Sequence, residues 1–139
     1  MLAIALSTLS AFAGEENVNA KVLNAFKSEF KTATDVTWVS GANYYEAKFV
    51  YNDKYLFAYY STEGELLGLT RYIKPENLPI SLQKSLKNKY RDYWISDLFE
   101  VAKNDGTSYY ITLENADSQL VLKSTDSYNW NFYKRVKKS

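Results

Sequence analysis

Neither cysteine nor histidine occurs anywhere in the 139 residues. Disulfides are thereby excluded, together with Cys- and His-based nucleophiles, the imidazole general base and the common structural zinc sites. Carboxylate pairs, Ser–Lys dyads and oxygen-ligated metals are the chemistries left. A surplus of charge is absent too. The 17 basic and 16 acidic residues leave a formal net charge of +1, unlike the strong basic excess of a nucleic-acid binder. The one basic cluster, Lys134, Arg135, Lys137 and Lys138, reads as a solvated strand end that discourages edge pairing. No Asn-x-Ser/Thr sequon occurs, so nothing points to a glycosylated secretory protein.

What the chain has in quantity is aromatic rings: 13 Tyr, 7 Phe and 3 Trp, or 17% of its residues. Aromatics bury much surface each and favour strands, so a chain of one-domain length can build a core without disulfides. Residues 1–13, MLAIALSTLSAFA, carry no charge and end in the small-x-small pattern Ala11-Phe12-Ala13 before the polar Gly14-Glu15-Glu16. This segment reads as a signal peptide removed after Ala13, too short to span a bilayer. Its missing basic start predicts that translation begins upstream of Met1. Export to the bacterial periplasm or medium is expected, with no stable membrane insertion after removal of the signal.

The remaining chain reads as an α+β fold built from two helix-plus-antiparallel-meander repeats, residues 14–74 and 75–139, with the helices on one face of the sheet or sheets. From Asn17 a helical stripe runs through Val18, Val22, Ala25, Phe26 and Phe30. Strands are predicted at Asp35–Ser40, Asn43–Tyr51, Tyr55–Ser61 and Glu65–Ile73, the last with Leu67, Leu69 and Ile73 on one parity. Gly41, Asn52-Asp53 and Glu63-Gly64 mark the turns. Pro79, suited to a first helical turn, introduces a second helix over Ile80–Arg91 with Leu82, Leu86 and Tyr90 as its stripe. Strands at Tyr93–Lys103, Thr107–Glu114, Gln119–Ser124 and Tyr128–Val136 follow. Phe26-x-x-x-Phe30 matches Leu86-x-x-x-Tyr90, and Tyr44-Tyr45 matches Tyr109-Tyr110. The register between the halves stays open, with Ala47 set against either Thr112 or Ile111, as does the choice between one continuous sheet and two abutting ones.

Several of these residues occur in a familiar order. Val22-x-x-Ala25-Phe26-x-x-x-Phe30, Ala33-x-x-Val36-x-Trp38 and Tyr45-x-Ala47-x-Phe49 are followed by Ala58-Tyr59-Tyr60, Gly64-Glu65-Leu66, Leu78-Pro79 and Tyr109-Tyr110. Over residues 18–125 the chain resembles the PepSY-like, β-lactamase-inhibitor-like family of exported bacterial proteins. That resemblance implies a secreted or periplasmic domain with helices packed on antiparallel sheet, no catalysis, and a sheet face offered to a partner protein in an inhibitory or chaperoning role. The related β-lactamase inhibitors use disulfides, which this chain cannot form.

Strand parity names a candidate surface. With Ala47, Phe49, Ala58 and Tyr60 inward, the outward set is Tyr44, Tyr55, Phe57, Tyr59 and Tyr72, an aromatic patch on an open sheet face. Tyrosine gives large contact area, a hydroxyl and little entropy loss, which enriches it at interfaces. Cross-strand aromatic pairs also stabilise exposed sheets by ~0.2–1 kcal/mol each. Glu63-Gly64-Glu65 and Asn104-Asp105-Gly106-Thr107 hold too few spaced oxygens for a calcium loop and lie where hairpins need turns. Ser61 and Ser81 have lysines nearby in sequence but no dyad motif. The expectation is a non-catalytic, protein-binding module without cofactor or metal. A small-ligand or glycan cleft between the two halves is the alternative, and an enzyme would need a buried carboxylate pair or a Ser–Lys contact.

Overall fold

Asn19 starts the first helix. Its Oδ1 accepts the Val22 N–H at 3.0 Å and its Nδ2 donates to the Thr62 carbonyl at 2.8 Å, so it satisfies one of the orphan donors of a helix start. Helix α1 (Ala20–Glu29) therefore begins later than the apolar spacing from Asn17 predicts. Glu15–Asn17 instead closes a 3-10 turn and Val18 is extended. The computed structural model describes residues 11–138 and divides between Thr70 and Arg71 into two compact units. Each contains one α-helix and antiparallel strands.

In unit 1, β1 (Ala11–Ala13), β2 (Thr34–Ser40), β3 (Tyr44–Tyr51), β4 (Lys54–Ser61) and β5 (Leu66–Tyr72, ending just past the division) pair antiparallel in chain order. Trp38, Ala47, Ala58 and Leu69 form one row across four strands. Val22 and Phe26 of α1 close over that row beside Phe49 and Tyr60, all at most 4% exposed. Burying the two helix side chains contributes roughly 1.5–3 kcal/mol each. Tyr60 keeps its hydroxyl partnered by donating to Glu29 Oε1 at 3.3 Å. Burial first, and then the Glu29 carboxylate, push that phenol well above its ordinary range.

Turn chemistry follows the residues. Asn52 and Asp53 both take positive φ, 51° and 63°, as a two-residue I′ hairpin turn requires. One strand reading is corrected. Tyr60 pairs with Leu66 while Tyr59 pairs with Gly68, so Leu67 sits in a bulge and is 37% exposed. Leu66 and Leu69 pack against the core in its place. Of the expected signal segment 1–13, residues 1–10 lie outside the described residues, and Ala11–Ala13 pair with Ser40–Trp38.

In unit 2, helix α2 (Ile80–Lys89) is preceded by a 3-10 turn at Pro75–Asn77. Pro79 occupies the N-cap rather than the first turn, and its carbonyl accepts from Leu82 and Gln83 N–H at 3.0 and 3.1 Å. The strands are β6 (Trp94–Lys103), β7 (Gly106–Glu114), β8 (Ser118–Ser124) and β9 (Asn131–Lys137), again antiparallel in chain order. Leu98, Ile111 and Leu122 make the central row. Leu78 and Leu82 pack with them, each at most 5% exposed.

The last strand starts at Asn131, later than the predicted Tyr128, because Asp126 organises the preceding loop. Its carboxylate accepts the backbone N–H of Tyr128 and Asn129 at 2.9 and 2.8 Å. The loop is also fastened to α2, where the Trp130 indole N–H donates to the Leu82 carbonyl at 3.1 Å. These donors, the Asn129 backbone N–H foremost, hold the Asp126 carboxyl at about 2. A depressed folded-state pKa contributes stability that is present above the unfolded value and lost as pH falls toward 2. Asp126→Asn should therefore flatten the dependence of melting temperature on pH between about 4 and 2, measured by circular dichroism against the parent. An unchanged slope would remove Asp126 from the account of acid sensitivity.

Candidate protein-binding face

Within unit 1, side chains of the parity opposite to the core project from the sheet face away from α1. Glu46 stands opposite Tyr59, Lys48 opposite Phe57, and Val50 opposite Tyr55. On the next strand Gly68 stands opposite Tyr59 and Thr70 opposite Phe57. The structure thus brings Tyr44, Tyr55, Phe57 and Tyr59 onto one face. Their environments differ sharply. Tyr55 is 64% exposed, whereas Tyr59 is hydrogen-bonded to Glu46 and Thr70 and tilted against Tyr44 at 6.0 Å between centroids. Burial, followed by the Glu46 carboxylate, raises the Tyr59 phenol well above its usual range. Thr70 has the outward register but is only 6% exposed. It is a partner of the Tyr59 hydroxyl and not free surface.

Lys48 organises the other two rings. Its Nζ lies 5.8 Å from the Tyr55 centroid and 5.9 Å from that of Phe57, within reach of a cation–π attraction. An ammonium between two aromatic faces leaves a rim that can take carbonyl or carboxylate groups beside apolar area.

Tyr72, the fifth predicted residue, belongs to unit 2 and is 66% exposed. It opens a row that the sequence reading missed. Tyr72 meets Phe99 edge-on at 6.4 Å, Phe99 stacks on Tyr110 at 5.2 Å with an interplanar angle of 10°, and Tyr133 meets Tyr110 edge-on at 5.6 Å. Lys123 places Nζ 5.2 Å over Tyr110. Phe99 and Tyr110 oppose each other in register, as do Tyr110 and Lys123. All stand on the face turned away from the Leu98–Ile111–Leu122 row. The signal for Phe99 and Tyr110 was available, since Leu98 and Ile111 inward put their neighbours outward. Tyr133 had no such signal, because it falls at the register shift between β8 and β9.

The remaining candidates have structural occupations. Ser61 Oγ accepts from the N–H of Glu63 and Glu65 at 3.3 and 3.1 Å, and Glu63 pairs with Lys21 at 2.8 Å. Lys138 bridges to Glu114 at 2.8 Å and lies 4.7 Å over Trp94. On the helix side of unit 2, Arg71 grips Glu100 with two hydrogen bonds of 3.1 and 3.2 Å, opposite Tyr109. Among the described residues, no group of three or more His, Cys, Asp or Glu side chains could hold a metal ion. No helix among them is long and apolar enough to cross a membrane. Each unit's outer face has the equipment of recognition: planar rings, hydroxyls and a lysine held over an aromatic face.

No family model and no curated protein matches the chain. Solved structures do. A BLIP-like protein from Bacteroides fragilis NCTC 9343 superposes with a TM-score of 0.75 at 16% identity, over 87% of this chain and 88% of that one. A candidate periplasmic protein from Bacteroides eggerthii DSM 20697 gives 0.74 at 14% identity, over 86% and 88%. A DUF2874 family protein from Bacteroides uniformis ATCC 8492 gives 0.75 at 14%, also over 86% and 88%. The β-lactamase-inhibitor-like resemblance read from the residues thus holds at the level of the fold.

Proposed function

We propose that this chain is an exported, non-catalytic protein-binding module, inhibitor- or chaperone-like, that engages its partner through the aromatic sheet face. The observation that carries the reading is the unbroken ring series Tyr72–Phe99–Tyr110–Tyr133, together with the Lys48-centred rings of unit 1. A solitary cross-strand pair is explained by sheet stability alone. Four rings in three successive contacts, with Tyr72 and Tyr133 at 66% and 44% exposure, offer more apolar area to solvent than that role needs, as interaction sites do. The uncharged 1–13 segment and the periplasmic description of one structural neighbour support export. The parallel order of elements in the two units, a 3-10 turn, a helix and a meander, supports a two-fold repeat of one plan.

Capture from native envelope extract tests the reading. Purified 14–139 protein should retain a partner that a folded Tyr72→Ala/Tyr133→Ala variant loses, whereas Ile80→Ala, an exposed change on α2, should retain it. Equal capture by all three proteins would rule this face out. Tyr72 and Tyr133 are better probes than Tyr59, whose hydrogen bonds to Glu46 and Thr70 tie it to the stability of the sheet.

A further inference from the structure

Each unit has a cleft where the C-terminal half of its helix meets the first strand after it, and the two clefts differ in charge. In unit 1 the sequence Phe26-Lys27-x-x-Phe30-Lys31 lines a cleft of about 180 Å³. There Lys27 is neutralised by Glu15 at 2.6 Å, and that glutamate also lines the cleft. In unit 2 the matching sequence Leu86-Lys87-x-x-Tyr90-Arg91 lines a larger cleft of about 250 Å³, with Ile95 and Leu113 completing an apolar floor. Where unit 1 supplies Glu15, unit 2 supplies Pro75, which has no charge. Neither Lys87 nor Arg91 has an ion-pair partner among the described residues.

Basic residues at a helix C-terminus complement the macrodipole on their own account. That explains one such residue per helix. It does not explain two unneutralised cations beside Ile95, which is left 39% exposed, in a cleft whose counterpart in unit 1 has one of its two lysines neutralised by Glu15. We infer that the unit 2 cleft is a binding site for a small anionic amphiphile, a short alkyl or aryl carboxylate, with its tail on Leu86, Ile95 and Leu113 and its carboxylate between Lys87 and Arg91. Drug-sized sites run to ~300–1,000 Å³, so this cleft takes a short ligand. Arg91 can present two parallel N–H donors to a carboxylate.

Octanoate is the probe, with octanol as its neutral counterpart, titrated into the full chain. Binding is read from methyl chemical shifts of Ile95 and Leu113. Octanoate should shift those methyls and bind about five- to tenfold more tightly than octanol, the range expected of two solvent-facing cations. Affinity should rise by about fourfold per methylene from butanoate until the cleft is full. Lys87→Gln/Arg91→Gln, checked for an unchanged melting temperature, should reduce octanoate to the affinity of octanol, whereas Lys27→Gln should change nothing. Octanol binding as tightly as octanoate, an unaffected double variant, or shifts confined to other methyls would each overturn the site. Because the sheet-face variants leave this cleft intact, its success or failure is independent of partner capture.

Discussion

Phe26→Ala is expected to destabilise the protein by about 3–5 kcal/mol, the range for an aromatic removed from a packed core. The ring is 4% exposed. It is met by Phe49 at 4.9 Å, Trp38 at 5.2 Å, Phe30 at 5.5 Å and Tyr60 at 6.5 Å between centroids, three of the four contacts edge-on. Alanine would leave a void lined by rigid rings on strands fixed by their own ladders, which cannot collapse into it. Helix α1 would lose the larger of its two buried anchors, and a helix of ten residues does not persist in water without tertiary packing. Urea denaturation followed at Trp38, the sole tryptophan before the division at Thr70, should show the fall in midpoint. Phe26→Leu should recover most of it. A loss below about 1 kcal/mol, no more than an ordinary point change, would mean that α1 is not what holds unit 1 together.

Gly64→Ala should be nearly as damaging, because of where the added methyl group would lie. Gly64 has φ +86°, and a Cβ there would lie 2.8 Å from the Lys21 carbonyl oxygen and 3.1 Å from its carbon. Both neighbours are backbone of the first turn of α1, so relief requires moving the helix. The same turn is joined to the β4–β5 hairpin by Asn19 Nδ2 to the Thr62 carbonyl and by the Lys21–Glu63 pair. Backbone strain of about 1–3 kcal/mol and overpacking of about 1–3 kcal/mol add to an expected loss of roughly 2–6 kcal/mol. Gly106→Ala is the comparison. Its φ of +133° is also unfavourable, but a Cβ would meet nothing within 4 Å. Equal losses for the two variants would show that conformation, and not the approach to α1, decides the glycine at position 64.

The two glycines mark how far sequence reading reached. Both were legible as turns, and alternation marked the buried face of the strands over residues 43–51 and 55–61. That held for Tyr45, Ala47, Phe49 and Tyr51, for Ala58 and Tyr60, and for the stripes of both helices. What escaped it was anything that breaks a period. Leu67 was read on the core parity, but the bulge at Tyr59/Tyr60 turns it out. Residues 128–130, just after Asp126, read as strand because Tyr128 and Trp130 look like strand residues. They are instead held by a carboxylate and by a carbonyl of α2. The candidate face was legible to the same degree: parity brought out Tyr44, Tyr55, Phe57 and Tyr59 together. It could not distinguish the exposed Tyr55 from Tyr59, whose fate depends on Glu46 and Thr70 across two neighbouring strands. It also missed Phe99 and Tyr110, whose partner Tyr133 lies beyond a register shift.

Within each unit, every strand pairs with the one next to it in the chain, and the helix stands ahead of the meander it covers. Closing such pairs brings together residues separated by little more than one hairpin. The loop entropy to be overcome before contacts repay it is therefore small, and low contact order favours rapid folding among sheet-containing domains. With no cysteine, acquiring the native state requires no oxidant and no shuffling of covalent bonds. A chain delivered unfolded into a new compartment could thus zip one hairpin after another as it emerges, needing nothing from its surroundings but water.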